Sequence, residues 1–535
     1  MLPRPHPLQQ TALADLAAAV GAVAPAREAA VTGVCLDSRR VEPGDLYAAL
    51  PGARAHGADF VSGAAERGAA AVLTDPRGRL LMEQAGQDLP ALVVEDPRAV
   101  LGAVAARVYR TDPAPVAMVG ITGTNGKTTT AYLLASALEA AGRTTGLIGT
   151  VEIRVGEERV RSERTTPESP DLHGLLAVMG QRGVDTCVME VSSHALVLHR
   201  VDGVVYDLGL FTNLSQDHLD FHADMEDYFQ AKASLFTPER ARRGIVCVDD
   251  EWGARLAREC PVPVVTLGSA PAAGTVAEAG PSTVPDWLLE PDGGDEQAFA
   301  LRGPSTTLHL RSQLPGDFNR VNTALAAIAL LELGLPPEQV ERALAAEPHV
   351  PGRMEPVAPA PDDLADLSPQ VREALPLVVV DYAHTPDAVA AALRSLRGQA
   401  TGRLVVVVGA GGDRDRGKRP AMGRAAAQGA DVVMVTNDNP RSEDPAAIRA
   451  AVLKGAREAG SPAELHDVER RSLAIRQAVR QAYAAGPGSV VAVVGKGHET
   501  GQDVGGQIIP FDDREQCREA LAELLHDLQA EKGTP

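Results

Sequence analysis

Residues 119–130 read VGITGTNGKTTT, and they restrict the architecture of this chain more than any other stretch. The apolar run before them, PVAMVGIT, predicts a buried strand, and the following TTTAYLLASALEAAG predicts a helix ending at Gly142. A glycine turn between strand and helix aims backbone N–H groups and a helix N-terminus at one point, which suits phosphate. Lys127 adds a mobile positive charge, and Thr128 adds a hydroxyl for Mg²⁺. The usual spelling of such a loop has glycine five residues before Gly126, where this chain has Ile121; its glycines stand at Gly120 and Gly123 instead. The alternative is a structural turn that happens to contain a lysine.

At 535 residues the chain is too long for one core, and two to four domains are expected. A formal charge of −20 argues against an electrostatic nucleic-acid binder. The five cysteines, Cys35, Cys187, Cys247, Cys260 and Cys517, are scattered and form no C-x-x-C pair, which supports neither a disulfide framework nor a zinc site. The N-terminal residues lack the apolar core of a signal peptide, no run approaches a transmembrane helix, and a cytoplasmic protein is expected. Of the 51 basic residues only six are lysine, at 127, 232, 418, 454, 496 and 532. Arginine serves wherever any positive charge will do, so Lys232 and Lys496 each call for a reason to be an amine.

Three units follow from the pattern along the chain. Residues 1–112 mix short strands and helices, as in LDSRRVEPGDLYAALPG and AAERGAAAVLTD, and TDPAP at 111–115 reads as a linker. Residues 113–354 alternate strand signals (TCVMEV, LGLFTN, GIVCVDD) with helical stretches, which implies a mostly parallel α/β sheet. Residues 355–535 show four strands, LVVVDYAH, LVVVVGAGGDRD, VVMVTNDNPR and VVAVVGKGHE, each ending in a polar cluster. Ligands of open parallel sheets bind beyond the carboxyl ends of strands, so these clusters should face one crevice. APAAGTVAEAGPSTVPDW and APAPDDLADLSPQ read as loops.

Glu190 ends the strand TCVMEV, where its carboxylate could reach Mg²⁺ bound at Thr128; a helix-capping role is the alternative. FTNLSQDHLDFH gathers Asp217, His218, Asp220 and His222 after another strand end, a density typical of metal or phosphate sites. YFQAKASLF puts Lys232 on an amphipathic helix. It is either a snorkelling surface lysine or an amine carbamylated by CO₂, which would turn an unwelcome cation beside Mg²⁺ into a carboxylate. No [NT]-K-x-D motif for guanine is present, while FNRVN (318–322) supplies amides that could read adenine.

Together GTNGKTTT, TTPES, MEVSSHALVLHR, TNLSQDHLDFH, FNRVN, DYAHTPDA, GGDRDRGKRP, DNPRSEDP and GKGHE resemble the Mur ligase family over nearly the whole chain. That family's loop is built around G-T-N-G-K-[ST], with no glycine needed at the position of Ile121. The resemblance implies three domains: an N-terminal UDP-binding α/β domain (1–112), a central P-loop ATPase with a mostly parallel sheet (113–354) and a C-terminal Rossmann-like domain that brings an amino acid (355–535). It implies an ATP-dependent ligase of peptidoglycan synthesis. The reaction would add a third-position diamino acid, meso-diaminopimelate favoured over L-lysine or L-ornithine, to UDP-N-acetylmuramoyl-L-alanyl-D-glutamate through an acyl phosphate. The implied enzyme is a monomer that takes UDP-MurNAc-dipeptide and a diamino acid as small-molecule substrates, binds no nucleic acid and does not insert in a membrane. Other readings are a folylpolyglutamate-synthetase-like ligase and a P-loop hydrolase or switch protein.

By motif, Leu36, Ser38, Ala53, Arg54 and Ala55 should meet the UDP portion, and Thr165, Thr166, Ser192 and Arg200 the muramyl-dipeptide. Gly123, Thr124, Asn125, Gly126, Lys127 and Thr128 serve ATP, with Asn322, Arg353, Asp381 and His384 approaching the nucleotide. Thr128, Glu190, His218 and a carbamate on Lys232 form the Mg²⁺ region, and Lys127, Glu190, His218 and Lys232 are the implied catalytic residues. Arg414, Asp438, Asn439, Pro440, Arg441, Gly495 and Glu499 match the amino-acid pocket, where Arg441 would clamp a distal carboxylate or else bond to Glu443 or Asp444. Two positions differ from the family pattern: Leu198 stands where relatives often carry Gln, and Arg164 where some carry Asn.

Overall fold

Seven parallel strands form the middle of an eleven-stranded sheet, and the strand Ala117–Thr122 lies inside it. The computed structural model that shows this describes residues 2–6, 9–25, 27–270, 284–346, 348, 350–360, 364 and 368–532. Most of the expected loop at 270–287, and much of the one at 358–370, lies outside the described residues.

Ala117–Thr122 pairs with Thr186–Glu190 on one side and Leu208–Phe211 on the other. Its side chains alternate between two cores: Val119 and Ile121 face one, and Met118 faces the other. Gly120 lies against the ring of Tyr206, where a Cβ would come within 2.7 Å, so this glycine serves packing and not the turn. The helices Lys127–Ala140 and Asp317–Glu332 pack together over the Val119 face. Antiparallel strands flank the parallel run, Glu152–Val155 and Glu158–Arg161 at one edge and Ala298–Arg302 and Thr307–Arg311 at the other.

The N-terminal sheet is parallel: Gly33–Cys35, Asp45–Ala48, Ala71–Thr74 and Ala91–Val93. The third sheet has six strands. All four sequence-expected strands are present, Leu377–Asp381, Leu404–Val408, Val432–Val435 and Val490–Val494, in mutually parallel array. Two edge strands, Glu355–Val357 and Glu464–Asp467, complete it; both are short and lack the apolar run that marks a buried strand. Arg471 ties the final helix, Asp513–Lys532, to this body through two 2.7 Å bonds to Asp513, both side chains being fully buried. Such a pair is strongly destabilising to break from one side, because it leaves a buried charge alone.

His173 fastens the 111–115 connection to the central unit. Its Nε2–H donates to the Asp202 carbonyl at 3.1 Å, which leaves Nδ1 to accept from the Thr111 hydroxyl at 2.6 Å. Burial pushes this imidazole down to about 4, against the upward pull of the Asp202 carbonyl. Folding therefore favours the neutral ring, whereas an unfolded chain takes up the proton below about pH 6.5. The contribution is whole at neutral pH and is lost as pH falls from about 6.5 towards about 4, on the order of 3 kcal/mol in all. We expect the urea midpoint to drop between about pH 7 and about pH 5, and to drop less in His173→Gln; equal slopes in the two proteins would exclude this histidine as a source.

Candidate active site

The loop after Ala117–Thr122 explains the unusual glycine spacing. Ile121 belongs to the strand and is wholly buried, so the turn begins only at Gly123. Gly123 has φ +142°, and a Cβ there would collide with Thr212 Oγ1; Gly126 has φ +88°, and a Cβ would meet Asn322 Oδ1 at 2.5 Å. Lys127 opens the helix, and its Nζ donates to the carbonyls of Gly123 and Thr124, each at 2.9 Å. Asn125 N–H bonds to Asn213 Oδ1 at 2.9 Å, which fixes the loop to the end of Leu208–Phe211.

Glu190, 1 % exposed, ends the next strand. Its carboxylate accepts from Thr128 Oγ1 at 2.9 Å and from Thr150 N–H at 2.7 Å and Oγ1 at 3.0 Å. Arg353 Nη2 donates to Thr128 Oγ1 at 2.9 Å, while its guanidinium lies 4.4 Å from the Tyr382 ring centre. Asn322 accepts from Thr130 Oγ1 at 3.3 Å and donates to Asn319 Oδ1 at 3.0 Å, so the two amides of FNRVN are joined beneath the loop. Lys127, Thr128, Glu190, His218, Asn322, Arg353, Asp381 and His384 line one cavity of about 550 Å³. A larger cleft of about 1400 Å³ adjoins it and shares Phe318, Arg353, Met354, Ala391 and Arg394, but no residue of the glycine loop reaches it.

Lys232 is 1 % exposed, which excludes the snorkelling alternative. Its Nζ donates to the Gly123 carbonyl at 2.8 Å and lies 4.5 Å from the Tyr228 ring centre. Burial holds this amine well below the ordinary lysine range, the charge of Lys127 adds to that, and Asp217 opposes it.

The four groups of the DHLDFH cluster separate by role. His222 bonds to Ser193 Oγ at 2.9 Å and to Asp227 at 3.2 Å, as structural partners. Asp220 faces Arg414 at 3.8 Å. Asp217 receives His384 and His218 at 3.5 Å and Lys418 at 3.4 Å. Burial alone would raise its carboxyl, but the bond to His384 and the surrounding cations outweigh it and hold Asp217 well below the carboxylate range. Asp381 supports the chain entry to this body, accepting from Met354 N–H and Ala383 N–H at 2.8 Å.

On the other flank, Thr166 Oγ1 donates to the Glu190 carbonyl at 2.9 Å and accepts from Ser192 N–H at 3.1 Å. Thr165 meets Thr150 at 3.1 Å. Arg200 pairs with Glu168 at 2.9 Å, and Arg98 of the N-terminal unit reaches the same carboxylate at 3.2 Å and the Leu198 carbonyl at 3.3 Å. Leu36 and Ser38 follow Gly33–Cys35, and Ala53, Arg54 and Ala55 form an exposed loop; none of these lines the 550 Å³ cavity.

Beyond Val432–Val435, Arg441 adopts φ +51° and donates to the Gly412 carbonyl at 2.6 Å. It does not bond to Glu443 or Asp444: Arg419 and Arg416 hold Glu443, and Asp444 caps the helix Pro445–Glu458. Arg414 stands half exposed on the neighbouring loop. Glu499 bonds to Asn439 at 2.8 Å and to Lys496 at 2.9 Å, and Gly495 packs on Asp438 with φ +117°. Pro440 joins these groups to Arg441.

Three family models match the chain: the Mur ligase family catalytic domain over residues 30–109, the Mur ligase middle domain over 121–331 and the Mur ligase glutamate ligase domain over 369–497. A UDP-N-acetylmuramoyl-L-alanyl-D-glutamate–2,6-diaminopimelate ligase of Streptomyces avermitilis is 51 % identical over 524 residues, 97 % of this chain and 98 % of that protein. The chain belongs to the Mur ligase family. A UDP-N-acetylmuramyl-tripeptide synthetase of Leifsonia xyli is 45 % identical over 92 % of each chain. A solved UDP-N-acetylmuramoyl-L-alanyl-D-glutamate–2,6-diaminopimelate ligase superposes with a TM-score of 0.60 at 29 % identity, covering 93 % of this chain and 95 % of that one.

Three residues of this Mur ligase's cleft went unassigned from sequence: Arg98, Glu168 and Lys418. Arg98 is unremarkable in an arginine-rich chain, and only its meeting with Glu168 across two units sets it apart; Glu168 carried a signal as part of TTPES. Lys418 did carry a signal, since it is one of six lysines in an arginine-rich chain. It and His384 bring the third sheet onto Asp217, helped by Gln216 to Asp415 at 3.4 Å. Asp217→Asn removes the charge on which they converge. Small-angle scattering should then report a larger radius of gyration at low salt, and an unchanged value would show that Asp217 does not hold the two bodies together.

Proposed function

We propose that this chain is an ATP-dependent ligase that joins meso-diaminopimelate to UDP-N-acetylmuramoyl-L-alanyl-D-glutamate. The observation that carries this reading is 51 % identity, over nearly the full length of both chains, with a ligase named for that reaction. Residues 1–112 take the uridine nucleotide, with Leu36, Ser38 and the Ala53–Ala55 loop at its UDP portion. Residues 113–354 take ATP, and 355–535 bring the amino acid. Thr165, Thr166, Ser192 and Arg200 hold the dipeptide beside Glu190, a placement supported by the Thr166–Ser192–Glu190 bonds. The enzyme acts as a cytoplasmic monomer; among the described residues no helix is long and apolar enough to cross a membrane.

The chemistry has two steps. The D-Glu side-chain carboxylate attacks the γ-phosphorus of ATP, and the bond to the leaving ADP breaks, giving an acyl phosphate. The incoming amine then attacks the acyl carbon and loses a proton, and phosphate departs. Gly123 to Thr128 cradle the phosphates, and Lys127 leaves its loop carbonyls to meet the charge that develops on the γ-phosphate. Asn322, Arg353, Asp381 and His384 close on the nucleotide, which keeps water from the acyl phosphate.

The donors fit Mg²⁺ held together with a nucleotide. Thr128 and Glu190 stand 2.9 Å apart, and among the described residues no group of three or more His, Cys, Asp or Glu is placed to hold a metal alone. Mg²⁺ commonly takes one or two carboxylates and completes its shell with phosphate oxygens and water. Thr128, Glu190, His218 and a modified Lys232 would hold it, and once bound it would neutralise phosphate oxygen charge.

The amines of Lys127 and Lys232 both donate to the Gly123 carbonyl, at 2.9 and 2.8 Å. Two ammonium groups on one acceptor repel, and burial already favours the neutral form of Lys232. A neutral amine attacks CO₂ and loses a proton, leaving a carbamate whose negative charge attracts Lys127. Lys232→Ala should be nearly inactive and should recover part of its rate in added formate or acetate; active native enzyme whose Lys232 carries no added mass would exclude the carbamate.

Arg414, the Asp438–Arg441 stretch, Gly495 and Glu499 form the amino-acid pocket. Arg441 keeps its guanidinium clear of Glu443 and Asp444, which leaves it for a distal carboxylate through paired hydrogen bonds. In direct competition the native enzyme should add meso-diaminopimelate in preference to L-lysine and L-ornithine. Preference for either of the latter would overturn the substrate assignment.

A further inference from the structure

One buried charge in the amino-acid pocket has no part in the reaction above. The Lys496 side chain is 0 % exposed, and it lies beneath residues assigned to bind the incoming amino acid. Its Nζ donates to Asn439 Oδ1 at 3.0 Å and to Glu499 Oε2 at 2.9 Å, and Asp438 Oδ1 stands 3.9 Å away. Asn439 is fixed in turn: its oxygen also accepts from Asp503 N–H at 3.1 Å, and its NH₂ donates to Glu499 Oε2 at 2.8 Å. The backbone that carries the lysine is tight on both sides. Gly495 has φ +117°, and a Cβ on it would come within 2.7 Å of Asp438 Oδ2; Gly497 has φ +51°, and a Cβ on it would come within 2.8 Å of Tyr382 Cβ. Both glycines are required where they stand, so the turn that carries Lys496 is held in place.

We infer that Lys496 is a positioning residue that sets the charge of this pocket from below and so selects a diamino acid with a distal carboxylate over one that ends in an ammonium alone. The inference rests on the amino-acid pocket proposed above. Two carboxylates, Asp438 and Glu499, face two cations, Lys496 and Arg441, and the third cation, Arg414, is met by Asp220 at 3.8 Å, so the pocket is close to neutral. A free diamino acid with two carboxylates and two ammonium groups is also neutral overall, whereas L-lysine carries a net positive charge. Removing the Lys496 charge leaves a carboxylate uncompensated in a largely dehydrated place, and that field favours the cationic competitor. Selectivity here is a difference between two affinities, and the buried ammonium acts against the wrong one. The residue type fits the task. A compact ammonium donates to Asn439 and Glu499 and stands 3.9 Å from Asp438, in a chain that uses arginine for most other positive charges.

The test compares kcat/KM for meso-diaminopimelate and L-lysine in the native enzyme, Lys496→Met and Glu499→Gln. Lys496→Met keeps the length of the side chain and removes its charge; it should shift the ratio towards L-lysine by at least about tenfold, with KM for ATP unchanged. Glu499→Gln removes a negative charge and should shift the ratio the other way, which keeps the idea open to refutation even if Lys496→Met does not fold. Combining the two substitutions should bring the ratio back towards the native value. Equal losses for both amino acids in the single variants, or ratios that stay put, would overturn the inference and leave Lys496 a structural residue. A native enzyme that does not use meso-diaminopimelate at all would instead overturn the proposed substrate.

Discussion

Glu190 is a carboxylate with 1 % exposure at the end of a central strand, and a charge so placed must be satisfied from several directions at once. It is satisfied by the helix after the glycine loop through Thr128, and by the turn after Thr145–Ile148 through Thr150. Its own carbonyl holds Thr166, and Thr166 holds Ser192. Arg353, just before the third sheet, reaches the same Thr128 hydroxyl. The glycine loop, the Thr166–Ser192 flank and the entry to the C-terminal body are thus referred to one buried carboxylate, so a displacement in any of them is felt by the others.

A second meeting point, Asp217, joins the third sheet to the central one. One ionised carboxylate takes His384 and Lys418 from the third sheet and His218 from its own loop. These contacts are longer and more exposed than those at Glu190. The turn at 351–354 runs against the GKGHE loop closely enough that a Cβ on Gly352 would strike the His498 backbone. Movement of that turn therefore bears on the GKGHE loop as well as on Arg353.

The lysines show what a small alphabet of charge can do. On the surface arginine does most of the work, and a net charge of −20 is spread over the whole chain. Lys127, Lys232, Lys418 and Lys496 all lie in or under the cleft, where a compact, strongly hydrated ammonium changes its protonation or its partner more readily than a guanidinium does. Scarcity, and their places in GGDRDRGKRP and GKGHE, were the signs that Lys418 and Lys496 mattered; their partners Asp217 and Asn439 lie in other segments of the chain, and only Glu499 is a near neighbour, three residues after Lys496.

Much of this was legible before any coordinates. The strand, turn and helix around Lys127, the mostly parallel central sheet and the four valine-rich strands of the third unit follow from local periodicity, because a buried parallel strand must be apolar along its length. The edge strands Glu355–Val357 and Glu464–Asp467 were not legible, because edges bury too little to need that pattern. The burial of Lys232 was likewise open, since one lysine on an amphipathic helix reads the same whether it snorkels or points inward. Nor could the sequence say that Arg441 turns to Gly412 and Glu443 to Arg419, or that Arg98 and Arg200 share Glu168: these are pairings across distant segments. Sequence by itself determined which elements form and which residue types carry charge to their ends, because those depend on neighbours along the chain. Tertiary structure alone decided which of those charges meet, because an ion pair depends on distances through space that no local pattern encodes.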